Sequence, residues 1–247
     1  MQAYPITMQK VILYILLFFL PVGNSFVKDE KASFQSPLSE CRKLYYEMRL
    51  DNIINYAAFE QAIIGYNKID EKNKDIITLI DYSKPSTEKR LYVIDMKQKK
   101  LLYASLVSHG RNSGENYATS FSNENGSYKS SLGFYLTEST YQGKNGYSLV
   151  LNGLEKGINN RAKERAIVMH AAPYCNPSFL SNGRLGRSQG CPALPEAVSK
   201  SIINTIKGGS LLYIYADNED YLQHSRILSD PPIAFDGRQE KEARRRI

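Results

Sequence analysis

The chain has 247 residues, long enough for one sizeable domain or for a domain preceded by a helical extension. Its formal net charge of +7 favours anionic partners through long-range attraction. The sequence has no zinc-finger or other nucleic-acid-binding motif and no cluster of interleaved basic and aromatic residues, so nucleic acid is not a predicted partner. An anionic cell envelope is the other partner class that the charge favours.

Residues 1–25 are typical of a secretory signal peptide. Lys10 supplies the positive start, Val11–Leu20 is an unbroken apolar run, and Gly23–Ser25 places small residues at the cleavage position. The apolar run is shorter than the roughly 20 residues that a membrane-spanning helix needs. We therefore expect export, cleavage near Ser25 and location in the periplasm or cell envelope, with an uncleaved membrane anchor as the alternative.

Residues 26–75 are predicted to form a short helical segment in front of the main domain. Between Pro37 and Asn67, apolar residues recur at three- and four-residue steps, which is the helical period. Asn55 is placed to cap the second of two helices. We expect this segment to have a structural role.

Residues 76–217 contain many short strand patterns and predict a mainly β domain of the α+β class. Leu91–Met96 and Leu101–Ser108 flank a short polar turn, which indicates a β-hairpin. Asn112–Ser131 is a long polar segment, expected to form a lid or an acceptor cleft because long loops in compact domains are often functional. The alternative is a plain surface loop. Residues 218–247 are polar and predict an extended or disordered tail.

One histidine and one cysteine stand out in the second half of this domain. His170 follows the short apolar run Ile167–Met169, and Cys191 ends the motif S-Q-G-C. A free cysteine usually packs as a small apolar residue. Here Arg184 and Arg187 are close in sequence, and positive charge is expected to lower the pKa of the thiol. A histidine that accepts the thiol proton completes a nucleophilic pair.

These residues resemble the L,D-transpeptidase catalytic domain (YkuD-type), a family of cysteine enzymes that remodel bacterial peptidoglycan. That family has an upstream histidine and an S-x-G-C motif, followed by a leucine, a helix, a glycine turn and a final strand. The corresponding residues here are His170, the motif ending at Cys191, Leu194, a helix over Pro195–Lys207, Gly208-Gly209 and Leu211–Tyr215. The resemblance covers about Arg90 to Ala216.

Two positions depart from the commoner family pattern. Gln189 stands where that pattern has histidine, and Ala193 stands where it has arginine. The sequence is closer to a branch whose motif is G-R-S-x-G-C-P-A-L. The missing arginine leaves open which residue binds the carboxylate of the substrate.

The resemblance implies a fold and a reaction. The fold would be an L,D-transpeptidase-like β-sandwich or barrel. The Cys191 thiolate would attack the bond after diaminopimelate in a peptidoglycan stem peptide, with His170 as base and with no metal or cofactor. The thioester would pass to an amine of a second stem peptide, to a lysine of an envelope protein, or to water in an L,D-carboxypeptidase. Carbapenems would acylate the same cysteine.

Supporting roles are expected for residues next to this pair. Backbone N–H groups around Gly190 and Cys191 are candidates to bind the oxyanion, because glycine permits close approach of the chain. Ser188 either orients the loop or forms a plain turn. The resemblance implies that the carbonyl of Ala171 orients His170.

Four further residues are candidates for binding substrate. Arg111, Arg184 and Arg187 are candidates for carboxylate recognition, since a guanidinium matches a carboxylate in a two-pronged geometry. The alternative for each is plain surface charge. His109 is either a second imidazole of the site or a loop residue.

Three cysteines remain after the predicted cleavage: Cys41, Cys175 and Cys191. Exported cysteines tend to pair. A Cys41–Cys175 disulfide leaves Cys191 free, a Cys175–Cys191 disulfide would block catalysis, and all three thiols reduced is the third possibility. Two other classes of function stay open: a zinc site using His170, Cys175 and Cys191, whose spacing matches no common zinc finger, and a non-catalytic envelope-binding module.

Overall fold

The structure, a computed structural model, describes residues 37–229. Eight strands form a single sheet: β1 Ile76–Asp81, β2 Leu91–Asp95, β3 Lys100–Ser105, β4 Gly133–Gly143, β5 Gly146–Gly153, β6 Val168–Ala171, β7 Ala193–Leu194 and β8 Leu211–Tyr215. Five helices accompany it: α1 Pro37–Glu47, α2 Tyr56–Lys68, α3 Glu196–Ile206, α4 Glu219–His224 and α5 Arg226–Ser229. No helix in this part of the chain is long and apolar enough to cross a membrane.

The sheet is mixed and nearly closed. Its strand order is β3-β2-β1-β8-β4-β5-β6-β7, with β1/β8 and β6/β7 parallel and the other neighbours antiparallel. The segment that leaves β3 turns toward the other end of the sheet, where Ser108 bridges Ala193 and Gly110 bridges Ser188. The chain therefore forms a mainly β, barrel-like fold, which confirms the predicted fold class.

The central strands have the sequences that burial on both faces requires. All five residues of β8, Leu-Leu-Tyr-Ile-Tyr, are buried, and β1 is buried from Ile77 to Asp81. Continuous apolar runs of this kind are typical of strands covered on both sides, whereas alternating runs are typical of half-exposed strands. Helices α2 and α3 both contact β1, which places the middle of the sheet in the main core.

The two N-terminal helices confirm the predicted helical segment. Asn55 caps α2, and its side-chain oxygen accepts a hydrogen bond from the N–H of Ala57 at 2.9 Å. Helix α2 approaches β4 closely at Gly65, where a Cβ atom would lie only 2.0 Å from the Phe134 ring. Both helices share one apolar core with the sheet. The helical segment is therefore part of the main structural unit.

The prediction of an extended or disordered tail is wrong for residues 218–229. Asn218 caps α4 by accepting from the N–H of Tyr221 at 2.7 Å, and the Tyr221 side chain is buried. The buried carboxylate of Glu155 accepts from the hydroxyl of Tyr221 at 3.0 Å and from that of Ser225 at 2.5 Å. These long-range contacts order a polar segment that local composition marks as irregular. The predicted signal peptide and residues 230–247 lie outside the described residues.

Candidate active site

A cavity of about 610 Å3 opens at one end of the sheet, where β6 meets the turn before β7. Both predicted catalytic residues, Cys191 and His170, line it. Residues of the β4–β5 hairpin tip and of the long segment 112–131 also line it, Lys144 and Tyr128 among them. The fold therefore places the two residues in the wall of a shared, solvent-accessible space.

Cys191 lies in a confined position on this wall. Its side chain is 8% exposed, and its Sγ atom lies 3.5 Å from the backbone nitrogen of Val168 and 3.7 Å from the carbonyl oxygen of Ala166. Burial raises the pKa of the Cys191 thiol, while the Val168 N–H and the charge of Arg165 act in the opposite direction. The Cys191 thiol is therefore neutral at rest.

The prediction that Arg184 and Arg187 lower the pKa of the Cys191 thiol is wrong, because a different arginine has this effect. Both arginines pair with Glu115, at 3.0 Å and 2.7 Å respectively. The cation that favours the Cys191 thiolate is Arg165, which lies outside the sequence motif but lines the same cavity.

His170 is fixed in one neutral form. Strand pairing places it opposite Ser148 on one side and Ala193 on the other. Its Nδ1 atom lies 2.8 Å from the carbonyl oxygen of Ala171, and a carbonyl can only accept, so Nδ1 carries the proton. Burial lowers the pKa of His170, with the Ala171 contact acting against that shift. The Nε2 lone pair of a neutral imidazole is therefore left to accept a proton.

The turn before Cys191 is held by Ser188. The Ser188 hydroxyl donates to the carbonyl of Cys191 at 2.6 Å and accepts from the N–H of Gly190 at 3.0 Å. The Gly190 N–H is thus already occupied, so the expectation that it binds an oxyanion does not fit this geometry. Gly190 has a φ of +125°, and a Cβ there would lie 2.9 Å from the carbonyl oxygen of Lys129. Glycine is needed at this position for both reasons.

The three candidate arginines have different positions. Arg111 and Arg187 line the cavity, whereas Arg184 does not. The Arg111 guanidinium lies 4.0 Å from the centre of the Tyr128 ring, a cation–π geometry that leaves its N–H groups available. Arg187 is bound to Glu115 and to the backbone carbonyls of Arg111 and Gly114. Arg111 is therefore the better placed of the three to meet a carboxylate.

His109 is a buried structural residue and is absent from the cavity lining. Its Nδ1 atom lies 2.8 Å from the guanidinium of Arg90, which can only donate, and its Nε2 atom lies 3.2 Å from the carbonyl of Gly114. Burial, with the charge of Arg90, lowers the pKa of His109 to about 3. Arg90 is itself fully buried and also donates to the carbonyl of Val107. The interpretation of His109 as a second active-site imidazole finds no support in its position.

Several cavity residues have no recognisable signal in the sequence. Four cationic residues line the cavity: Arg111, Lys144, Arg165 and Arg187. No carboxylate among residues 37–229 lines it. Tyr128 and Tyr174 add aromatic surface. Lys144 is at the tip of the β4–β5 turn, and Arg165 precedes β6 in a polar stretch. Only their three-dimensional placement shows that they belong to the site.

All three cysteines are free thiols in the structure. Cys175 is fully buried behind the cavity wall, where its Sγ atom lies 2.8 Å from the carbonyl oxygen of Ala193 and 3.1 Å from the Ser108 hydroxyl. Within residues 37–229, no group of three or more His, Cys, Asp or Glu side chains is arranged to hold a metal ion. The alternative of a zinc site at His170, Cys175 and Cys191 therefore has no geometric basis.

The site thus combines a cysteine and a neutral histidine in one cavity that is lined by four cationic side chains. A sequence profile of the L,D-transpeptidase catalytic domain matches residues 50–215. The chain belongs to that family. A comparison with curated proteins finds no significant match.

Solved structures of L,D-transpeptidases are similar at low identity. An L,D-transpeptidase from Mycobacterium smegmatis is 12% identical, with a TM-score of 0.37 over 58% of this chain and 59% of its own. One from Stackebrandtia nassauensis is 15% identical, with a TM-score of 0.35 over 73% and 78%. The helical cell shape determining protein Pgp2 from Campylobacter jejuni is 14% identical, with a TM-score of 0.40 over 64% and 55%. The chain thus spans less than two thirds of the first of these relatives, and the family assignment rests on the profile match.

Proposed function

We propose that the protein is an L,D-transpeptidase of the bacterial envelope that acts on peptidoglycan stem peptides. The observation that supports this most is the shared cavity: Cys191 and His170 line it together, and the Ala171 carbonyl fixes His170 in the tautomer that can accept a proton. Cationic lining fits the free carboxylates of a stem peptide. The predicted signal peptide supports the proposal, because export would bring the protein to the same side of the membrane as this substrate.

Because the resting pair is neutral, proton transfer accompanies the attack. The Cys191 thiol gives its proton to Nε2 of His170 as the sulfur bonds to the carbonyl carbon of diaminopimelate, the carbon of its amide bond to D-alanine. The oxyanion accepts a hydrogen bond from the backbone N–H of Cys191, since the N–H of Gly190 already donates to Ser188. The C–N bond then breaks, the imidazolium protonates the departing D-alanine amine, and a thioester remains.

Transfer completes the reaction with the same groups in reverse. An acceptor amine gives a proton to Nε2 of His170 and attacks the thioester carbon. The new C–N bond forms, the C–S bond breaks, and the thiol of Cys191 is restored. A diaminopimelate amine gives a cross-link, a lysine of an envelope protein gives an attached protein, and water gives a tripeptide.

The test uses muropeptide tetrapeptides with the purified protein. We expect an enzyme mass increased by one acyl group at Cys191, and cross-linked dimer when a diaminopimelate-containing acceptor is present. Cys191→Ser is the inactive control. Tripeptide as the sole product, even with excess acceptor, would assign the protein as an L,D-carboxypeptidase. Absence of any product or adduct from folded protein would leave only an envelope-binding role and contradict the proposal.

Carbapenems provide an independent test of the nucleophile. The Cys191 sulfur is expected to open the strained lactam, forming a C–S bond while the C–N bond breaks and the ring nitrogen takes the proton. Intact mass followed by peptide mapping locates the adduct. An adduct on Cys175, or none on protein that is active with muropeptides, would contradict the assignment.

A further inference from the structure

Arg165 occupies an unusual position in the cavity wall. Its guanidinium donates four hydrogen bonds, all to one stretch of the chain between residues 122 and 131. The acceptors are the carbonyl of Ser122 at 2.8 Å, the hydroxyl of Ser131 at 2.5 Å, the carbonyl of Lys129 at 2.6 Å and the hydroxyl of Ser127 at 3.2 Å. One side chain therefore binds both the outgoing and the returning parts of this segment.

The returning part of the segment lies directly against the turn that holds the nucleophile. The Ser130 hydroxyl donates to the carbonyl of Gly190 at 3.1 Å. A Cβ atom on Gly190 would lie 2.9 Å from the carbonyl of Lys129 and 3.4 Å from Nη2 of Arg165. Arg165, the segment and the turn before Cys191 are thus packed together without space for an extra methyl group.

Arg165 forms no ion pair within residues 37–229, although the Glu124 carboxylate acts on its charge at longer range. Within residues 37–229, no carboxylate lies within ion-pair distance of it, whereas Arg187 pairs with Glu115 and Arg161 pairs with Glu124 and Glu164. All four of its hydrogen-bond acceptors are neutral oxygens. A partly buried cation without a counter-ion attracts an anion strongly, because little water screens it.

We propose that Arg165 is a positioning residue of this site: it fixes segment 122–131 against the Cys191 turn and holds an unpaired positive charge near the Cys191 sulfur. This inference rests on the proposed function for its catalytic meaning. The charge favours the thiolate as the proton leaves for His170, which is consistent with the effect of Arg165 on the thiol pKa. The hydrogen bonds keep the cavity wall in place, so the long segment is a fixed wall at this point.

The test separates the charge from the hydrogen bonds with two substitutions. Arg165→Gln removes the charge and most of the bonds, whereas Arg165→Lys keeps the charge and loses the branched geometry. Arg161→Gln is the matched control, because Arg161 contacts the same segment at Glu124 on the outside of the cavity. Melting temperatures of all three report on folding.

The first readout is the pH profile of Cys191 alkylation by iodoacetamide, followed by peptide mapping. The other charged or titratable groups around the thiol stay unchanged in every variant: His170, Tyr82, Tyr174, Arg111, Lys144 and Arg187. We expect Arg165→Gln to move the profile to higher pH by about one unit, or roughly tenfold slower alkylation below its midpoint. Arg165→Lys and Arg161→Gln should keep the original profile.

The second readout is transfer from muropeptide donors. We expect kcat to fall at least about tenfold in Arg165→Gln and several-fold in Arg165→Lys, with Arg161→Gln unchanged. An alkylation profile that does not move in Arg165→Gln, or that moves equally in Arg165→Lys, would overturn the inference. If Arg165→Gln does not fold, an unchanged kcat in Arg165→Lys would also overturn the inference. A shifted profile in a protein without transfer activity would instead reject the proposed function and retain the role of Arg165.

Discussion

Two regions of the molecule each combine a cysteine with a histidine, and only one resembles an active site. Cys191 and His170 line the cavity, whereas Cys175 and His109 are fully buried nearby. Burial raises the pKa of both thiols and lowers the pKa of both histidines. The direction of the pKa shift therefore does not identify the nucleophile.

The difference between the regions lies in their contacts and their access. The sulfur of Cys175 is enclosed by the carbonyl of Ala193 and the hydroxyl of Ser108, and His109 has both ring nitrogens occupied by protein groups. His170 has only Nδ1 occupied, by the Ala171 carbonyl. A cysteine–histidine pair that reacts with a substrate needs a histidine ring nitrogen free to accept a proton and a space for the substrate. Of these two regions, the one at the cavity provides both.

The largest expected effect contrasts the two cysteines. Cys191→Ser should lower transfer by at least about 10³-fold, because an alcohol is a poor substitute for the thiol nucleophile in a site arranged around sulfur. Cys175→Ser should stay within about tenfold of the parent, since serine can still donate to the Ala193 carbonyl. Initial rates with muropeptide tetrapeptides measure both. Comparable losses in the two variants would contradict the distinction.

Substitutions of the two histidines should show the same contrast, with a large loss of activity at His170 and little change at His109. His170→Ala removes the proton acceptor and is expected to reduce transfer about 10²- to 10⁴-fold. His109→Asn keeps an acceptor for Arg90 and a donor for Gly114, so its activity near neutral pH should remain close to that of the parent. Rates are to be compared at a temperature where circular dichroism shows both variants folded. An inactive, folded His109→Asn protein would place His109 in the reaction after all.

The stability of the protein in acid should depend on the buried, neutral His109. The pKa of His109 is about 3 in the folded chain and about 6.5 when exposed, so its stabilising contribution is complete above pH 6.5 and is lost as the pH falls toward 3. Across this interval the loss is on the order of 5 kcal/mol. Urea unfolding at several pH values should show a smaller acid loss in His109→Asn. An identical slope in parent and variant would contradict the buried, neutral assignment.

The smallest expected difference concerns the accessibility of the thiols in the native protein. Iodoacetamide should modify Cys191 at least about tenfold faster than Cys175, because only Cys191 borders open space. Both rates should keep rising above neutral pH, since both thiols are protonated at rest. Mass mapping after short exposures gives the ratio. A fast, pH-independent reaction of Cys191 would indicate a preformed thiolate instead.

Much of the fold follows from local sequence patterns. The helical period between Pro37 and Asn67, the Asn55 cap and the strand runs around Leu91–Met96 all match the observed elements. The motif that ends at Cys191 predicts a nucleophile, because its residue types are unusual for packing alone, and the structure shows that Cys191 lines the cavity. These features depend on neighbours within a few residues, which a sequence displays directly.

The rest depends on contacts between distant parts of the chain. The Glu155 carboxylate orders α4, although it lies far from α4 in sequence. Glu115 forms ion pairs with both Arg184 and Arg187, the two arginines that precede Cys191 in the motif. Arg165 gains its position only when segment 122–131 folds over it. Charge near a motif in sequence is therefore a poor guide to charge near it in space.

The pairing of β1 with β8 has a consequence for how the molecule acquires its site during folding. The partners Ile77 and Leu211 come from opposite ends of the domain, so the middle of the sheet forms only after nearly the whole chain is available. Folds dominated by such distant pairings take about milliseconds to seconds to form. During that interval Cys41, Cys175 and Cys191 are all unprotected. In an oxidising compartment, the speed of sheet closure thus decides whether the nucleophile reaches the folded state as a free thiol.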